Sequence, residues 1–319
     1  ATLTEPDKTV TGYTTLGEAL TAVETPSADA QNAVGYTVKL HQDVTEDVRI
    51  TGGKFTLDLN GKTATAANGT TISGATTMVS ITKGKLVSDV TISGSAQVTV
   101  DGAEGLGTIT LQDSSNLIFW PRSSAAAFKV ESAAALLTMN GGAVDTIHMT
   151  AGTVNANGAS RIAGQVDVNG GEMNVRDGVA FNGDVNIKDG AKMTVALGST
   201  AKFYGLLHFA EAATGELASG TYEKLTCQNG RWVRELLKSG CVYYGISTSE
   251  ILQGKTDQLT GVKVIQHTHS VGDDGTCACG ESFMASVSDG ARTDWYKTLG
   301  EALTAVRTPP AYAQDATKY

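Results

Sequence analysis

The sequence is poor in charge and has no basic balance. Only 18% of its 319 residues are Asp, Glu, Lys or Arg, and the net charge is −9. A phosphate backbone needs clustered Lys and Arg, so the composition argues against a nucleic-acid partner. No apolar run reaches the ~18 residues of a membrane span, so this stretch is not expected to insert in a bilayer. No secretory leader is present. The opening ATLTEPDKTV looks like a boundary inside a longer protein, so the missing leader says nothing about location. Proline is also rare, at 5, against 37 Gly. With abundant Thr and Val, this is the composition of short strands and turns. The length allows a large core, drawn out along an axis rather than spherical.

What is present is a repeat. Thr146 to Gly205 divides into TIHMTAGTVNANGASRIAG, QVDVNGGEMNVRDGVAFNG and DVNIKDGAKMTVALGSTAKFYG. Ile147, Val166 and Val185 align, as do Met149, Val168 and Ile187, and Gly152, Gly171 and Gly190. Each unit holds two short alternating strands parted by a Gly turn, and none has the helical length that a βαβ crossover needs. A unit of about 20 residues cannot bury its own apolar face, so the units must stack. The pattern predicts an all-β fold, a right-handed parallel β-helix over 37–209. Ahead of it, Leu16, Leu20 and Val23 form one helical stripe, and Thr15-x-x-Glu18 fits a capping box. That helix is placed to cover the open end of the solenoid.

Earlier coils are less regular, with strands at Tyr36–Val44, Lys54–Leu59, Met78–Ile81, Val90–Ile92, Val98–Val100 and Ile109–Leu111. Leu117 to Trp120 is the most apolar run, and Phe119 and Trp120 cannot both point inward. Residues 123–135, rich in Ala and Ser, read as a loop crossing or a loose coil. Residues 210–220 read as a small-residue connector, and 221–282 as a small α+β module with a short helix at Val233–Leu237. The segment 283–319 reads as a linker and the start of a second copy. Tyr296 to Tyr319 repeats Tyr13 to Tyr36 at a spacing of 283 residues, with 17 of 24 positions identical. The parent protein is therefore expected to be a tandem array of large domains.

Chemistry-bearing residues are few. His267, His269, Cys277 and Cys279 form H-x-H and C-x-C pairs around a Gly-Asp-Asp-Gly turn, able to hold one structural zinc; the alternative is a polar linker with a disulfide or free thiols. Cys227 and Cys241 either pair across the short helix or remain buried thiols. Asp101, Asp113, Asp145, Asp167, Asp177, Asp184 and Asp189 mostly adjoin Gly or Asn, where Asp caps turns. His148 and His208 are isolated, and no phosphate loop is present. Trp120 with Arg122 is the best candidate contact surface, unless Trp120 packs under a loop or under 123–135.

The motifs T-L-x-E-A-L at Thr15 to Leu20, V-x-L-x-x-D-V at Val38 to Val44 and F-T-L-D-L-N-G-K at Phe55 to Lys62 have a familiar order. L-x-S-G-T-Y at Leu217 to Tyr222 and H-x-H…C-x-C-G at His267 to Gly280 complete it. Together they resemble repeat-bearing, adhesin-like β-helix surface proteins of Gram-positive, gut-type bacteria. The resemblance implies a secreted, wall-attached, non-catalytic unit that binds a host protein or glycan, with immunoglobulin one such partner, and neighbouring repeats of its own chain. Related members often carry a Cys near the first His, where this chain has Gln266. The competing expectations are a β-helix polysaccharide lyase or glycosidase, which needs a groove of clustered carboxylates or of Lys and Arg, and an inert stalk.

Overall fold

A computed structural model describes residues 1–24, 35–228, 232–244, 257–266, 271, 275, 284–288, 293–296 and 298–307. Its body is a parallel β-solenoid of about ten coils. Most coils contribute to three strand stacks. The first runs through Tyr36–Lys39, Lys54–Asp58, the start of Met78–Ile92, and on to Thr214–Leu217. The second passes through Thr63–Thr65 and Arg161–Ile162, and the third through Thr70–Ile72 and Val166–Val168. Met78–Ile92 and Gln97–Leu111 run through all three without a break.

The alternation read from the sequence is what fills the interior. Ile147 pairs with Val166, Val166 with Val185 and Val185 with Leu207, and all four side chains are buried. A parallel ladder stacks like on like at about 4.8 Å per coil, so each interior column is continuous. Phe181, Phe203 and Tyr222 show this directly: their rings stack with centroids 4.6 and 4.9 Å apart. Gly164, Gly183 and Gly205 stack at one corner. A Cβ on Gly183 would lie 2.3 Å from the Gly164 carbonyl carbon, so the backbones approach too closely there for any side chain.

Residues 123–135 depart from the expectation. They form a regular coil, with Ser124–Val130 paired in parallel to Gln97–Leu111 on one side and to Ala143–Met149 on the other. Neighbouring coils supply the hydrogen bonds that weak local propensity does not. Small Ala125 faces inward beside Phe128, which meets Phe119 edge-on at 5.1 Å.

Both ends are closed by antiparallel strands. At the first end, Thr2–Thr4 lies between Val10–Gly12 and Tyr36–Lys39. Helix α1, Leu16–Glu24, covers the remaining opening. Thr15 and Glu18 make the expected capping box: Glu18 N donates to Thr15 Oγ1 at 3.1 Å, and Thr15 N to Glu18 Oε2 at 3.2 Å. Glu46 of the first coil adds a carboxylate, accepting from Leu16 N and Gly17 N at 2.9 and 3.0 Å, where the helix dipole favours it. Burial of Leu16, Leu20 and Val23 is worth roughly 5–8 kcal/mol in all.

At the other end the break expected at 210–220 is absent. Thr214–Leu217 stacks on Lys192–Val195, and Gly220–Cys227 on Lys202–Phe209. Only then does direction reverse: Gln258–Gln266 runs antiparallel to Gly220–Cys227, and Cys241–Tyr244 antiparallel to Gln258–Gln266. The expected helix at 233–237 is a single 3-10 turn, Val233–Leu236, leading to Lys238 N, which donates to Leu217 O at 3.0 Å. One buried apolar cluster runs from Leu3 to Val264, so the residues of the expected module complete the solenoid's core. Coil spacing vanishes from the sequence there because the strands turn back, not because the core ends. A second hairpin, Ala285–Ser288 with Thr293–Tyr296, precedes helix α2, Leu299–Arg307.

Candidate functional site

The Leu117 to Trp120 run divides as strand geometry demands. Leu117 and Phe119 are fully buried, while Ile118 and Trp120 point outward on the first stack. Trp120 is 41% exposed, so neither a loop nor the 123–135 coil covers it. Arg122 is exposed two residues on, around the corner. Gly141 of the next coil packs on Pro121 between them, where a Cβ would come within 2.8 Å of Pro121 Cγ.

Arg122 sits at φ +66°. The same corner turns through left-handed residues in earlier coils as well: Asn60 and Gly61 at +52° and +71°, Lys83 at +57° and Gly102 at +70°. Gly and Asn suit that conformation, but Arg does not. Arg122, like Lys83 in an earlier coil, therefore holds a backbone conformation that favours Gly or Asn.

A groove of about 380 Å³ runs across the early coils beside Ile118. Lys54, Met78, Gln97 and Asn116 line it, and register places each opposite the next on successive strands. Met78 is 43% exposed, a large apolar side chain open to solvent. Sequence reasoning singled out none of the four. A signal was there: each directly precedes an interior residue, namely Phe55, Val79, Val98 and Leu117. The groove, Ile118 and Trp120 thus share one side of the solenoid.

The scattered carboxylates mostly tie coils together. Asp113 accepts from Gly94 N at 2.8 Å, Asp184 from Leu206 N at 2.9 Å and Asp189 from Ala212 N at 2.8 Å. Their partners lie one coil away rather than in their own turns, because stacking brings a neighbour's N–H within reach. Asp167 accepts from Gln165 and from Asn186 Nδ2, the latter at 3.0 Å. Glu172 pairs with Lys192 and Glu216 with Lys238, each at 2.9 Å. The Lys238 ammonium lowers the Glu216 carboxyl below its ordinary range. His148 is exposed, with Nε2 at 3.4 Å from Asn169 Nδ2. His208 Nδ1 lies 2.8 Å from Thr226 Oγ1, and partial burial, with Lys188 nearby, lowers its pKa.

Cys227 and Cys241 are buried thiols, not a disulfide. They sit at opposite ends of Gln258–Gln266: Cys227 N donates to Asp257 O at 2.8 Å, while Cys241 pairs with Gln266. A disulfide needs Cα atoms within ~7 Å, and nine strand residues span several times that. Cys241 Sγ donates to Ala218 O at 3.4 Å, and burial pushes its pKa up. His267, His269, Cys277 and Cys279 lie outside the described residues. Among the described residues no group of three or more His, Cys, Asp or Glu is placed to share a metal ion.

Comparison with protein-family models, with curated proteins and with solved structures found no match. The functional reading therefore rests on the fold, on the groove and on the exposed Trp120 that shares its side of the solenoid.

Proposed function

We propose that this chain is a non-catalytic binding unit, one member of a repeated array that holds a host macromolecule at a bacterial surface. What supports the reading above all is the placement of Trp120. An exposed indole lies on the side of the solenoid that carries a groove lined by Met78 and Ile118, and Arg122 is exposed around the adjoining corner. Aromatic and Arg side chains are enriched among the residues that anchor macromolecular contacts. A rigid solenoid flank suits an extended partner, a host glycoprotein or its glycan. Linked copies would raise the effective concentration of each later contact, which is how repetition serves binding. Secretion, wall attachment and a structural zinc at His267, His269, Cys277 and Cys279 belong to the same reading, on the strength of the sequence motifs. Elemental analysis should then find roughly one zinc per chain.

The test is binding of the full chain to immobilised mucin glycoprotein and to pooled immunoglobulin. Trp120→Ala with Arg122→Ala should weaken capture at least tenfold, about 1.4 kcal/mol, with thermal unfolding nearly unchanged. Retained binding in that variant would place the contact elsewhere. Failure of the unaltered chain to bind either, or its turnover of a polysaccharide, would sink the reading.

A further inference from the structure

The hairpin of Ala285–Ser288 and Thr293–Tyr296 followed by α2 repeats, in order, the elements that open the chain. The likeness reaches individual bonds. Thr298 N donates to Glu301 Oε2 and Glu301 N to Thr298 Oγ1, both at 3.2 Å, as in the capping box of α1. Thr304 Oγ1 donates to Gly300 O at 2.8 Å, as Thr21 Oγ1 does to Gly17 O at 2.9 Å. A shift of 283 residues carries Leu16, Ala19, Leu20 and Val23 onto Leu299, Ala302, Leu303 and Val306.

The matched positions differ in one respect. In α1 none of the four is more than 1% exposed. In α2, Leu299 is 62% exposed, Leu303 49% and Val306 41%, and only Ala302 is buried. A helix of this length owes its stability to covering its apolar face. Helix α1 shows what the cover is: the first coils, through Tyr36–Lys39, Val48–Ile50 and Lys54–Asp58. The first coil also brings Glu46 to the N-terminus of α1.

We propose that the second hairpin and α2 form the N-terminal cap of another β-helix, whose first coil seats on the Leu299, Leu303 and Val306 stripe. The occupant is a coil of the same sequence type as residues 36–58, and a Glu at the counterpart of Glu46 would meet the N-terminus of α2. In sequence the repeat carries Tyr36, where the opening strand Tyr36–Lys39 of the first coil begins, onto Tyr319. The proposal stands apart from the ligand reading, since it concerns how one unit meets the next.

The test is a chain extended beyond Tyr319 by a second copy of residues 37–266. Calorimetry should show about twice the unfolding enthalpy of the unextended chain. In the extended chain Leu303→Asp should lower the transition of the added β-helix by roughly 10 °C and leave the first in place, and Leu20→Asp should do the reverse. In the unextended chain Leu303→Asp should not move the transition. Thr304→Asp, on the far side of α2, should be silent in both. Added coils that do not fold, or whose transition ignores Leu303→Asp, overturn the proposal. So does reversible dimerisation of the unextended chain that Leu303→Asp abolishes, because a second copy is then the occupant.

Discussion

Phe203 stands between Phe181 and Tyr222 in the interior stack, with centroid spacings of 4.6 and 4.9 Å. Those spacings match the separation of neighbouring strands, so the rings touch because the ladder sets their distance. Replacing Phe203 by Ala removes a ring that is 98% shielded and breaks both contacts at once, its exposure being 2%. Buried Phe→Ala changes cost about 3–5 kcal/mol, and each stacked pair adds about 0.5–1.5 kcal/mol beyond burial. Collapse of the void is resisted by parallel pairing on both sides, Phe181 with Phe203 and Phe203 with Tyr222. The expected loss is therefore in the upper part of the range, about 4–5 kcal/mol. In a solenoid that loss falls on the coils that touch the gap. Native-state hydrogen exchange reads this by position. Amides of 206–209 and 224–227 should exchange about a thousandfold faster, at roughly 1.4 kcal/mol per decade, while those of 79–81 and 98–100 stay unchanged. Phe203→Leu should recover about half the loss. Acceleration below tenfold would refute the claim that the stack cannot close, and equal acceleration along the whole chain would refute nearest-neighbour behaviour.

Three further outcomes follow from named residues. Arg122→Gly should be more stable than Arg122→Ala by about 1 kcal/mol in urea unfolding, since Gly, unlike Ala, adopts φ +66° without strain. Burial raises the phenols of Tyr222 and Tyr243 above the ordinary Tyr value. The unfolded chain ionises both from about pH 10 while the folded chain holds their protons. Their contribution is therefore intact below pH 10 and lost as pH rises above it. Phenolate absorbance should show these two titrating only with unfolding, and Tyr222→Phe should flatten the alkaline decline. Reducing agent should leave the melting of the 1–266 body unchanged, because Cys227 and Cys241 are thiols already; a drop of more than about 2 °C would mean a disulfide forms there.

Much of the architecture was legible because a parallel solenoid repeats its environment. Ile147, Val166 and Val185 meet the same neighbours in each coil, so the same residue types recur at one spacing. The capping box at Thr15 and Glu18 was legible for a different reason: its partners lie within one turn of chain. Legibility failed where contacts come from another coil. Residues 123–135 carry no strong strand signal of their own, and pairing on both sides makes them a strand. The chain past Cys227 keeps the core but reverses direction, and periodicity cannot register a reversal. The groove of Lys54, Met78, Gln97 and Asn116 is assembled from residues 19 or 24 positions apart, none unusual by itself.

The stripe shared by α1 and α2 separates the two kinds of information. Sequence by itself determined that both segments are helices with the same apolar face and the same capping box, since those properties depend on residues three or four apart. Tertiary structure decided that one face is buried and the other is open. A helix can specify an apolar surface, but only the coil that arrives against it removes that surface from water.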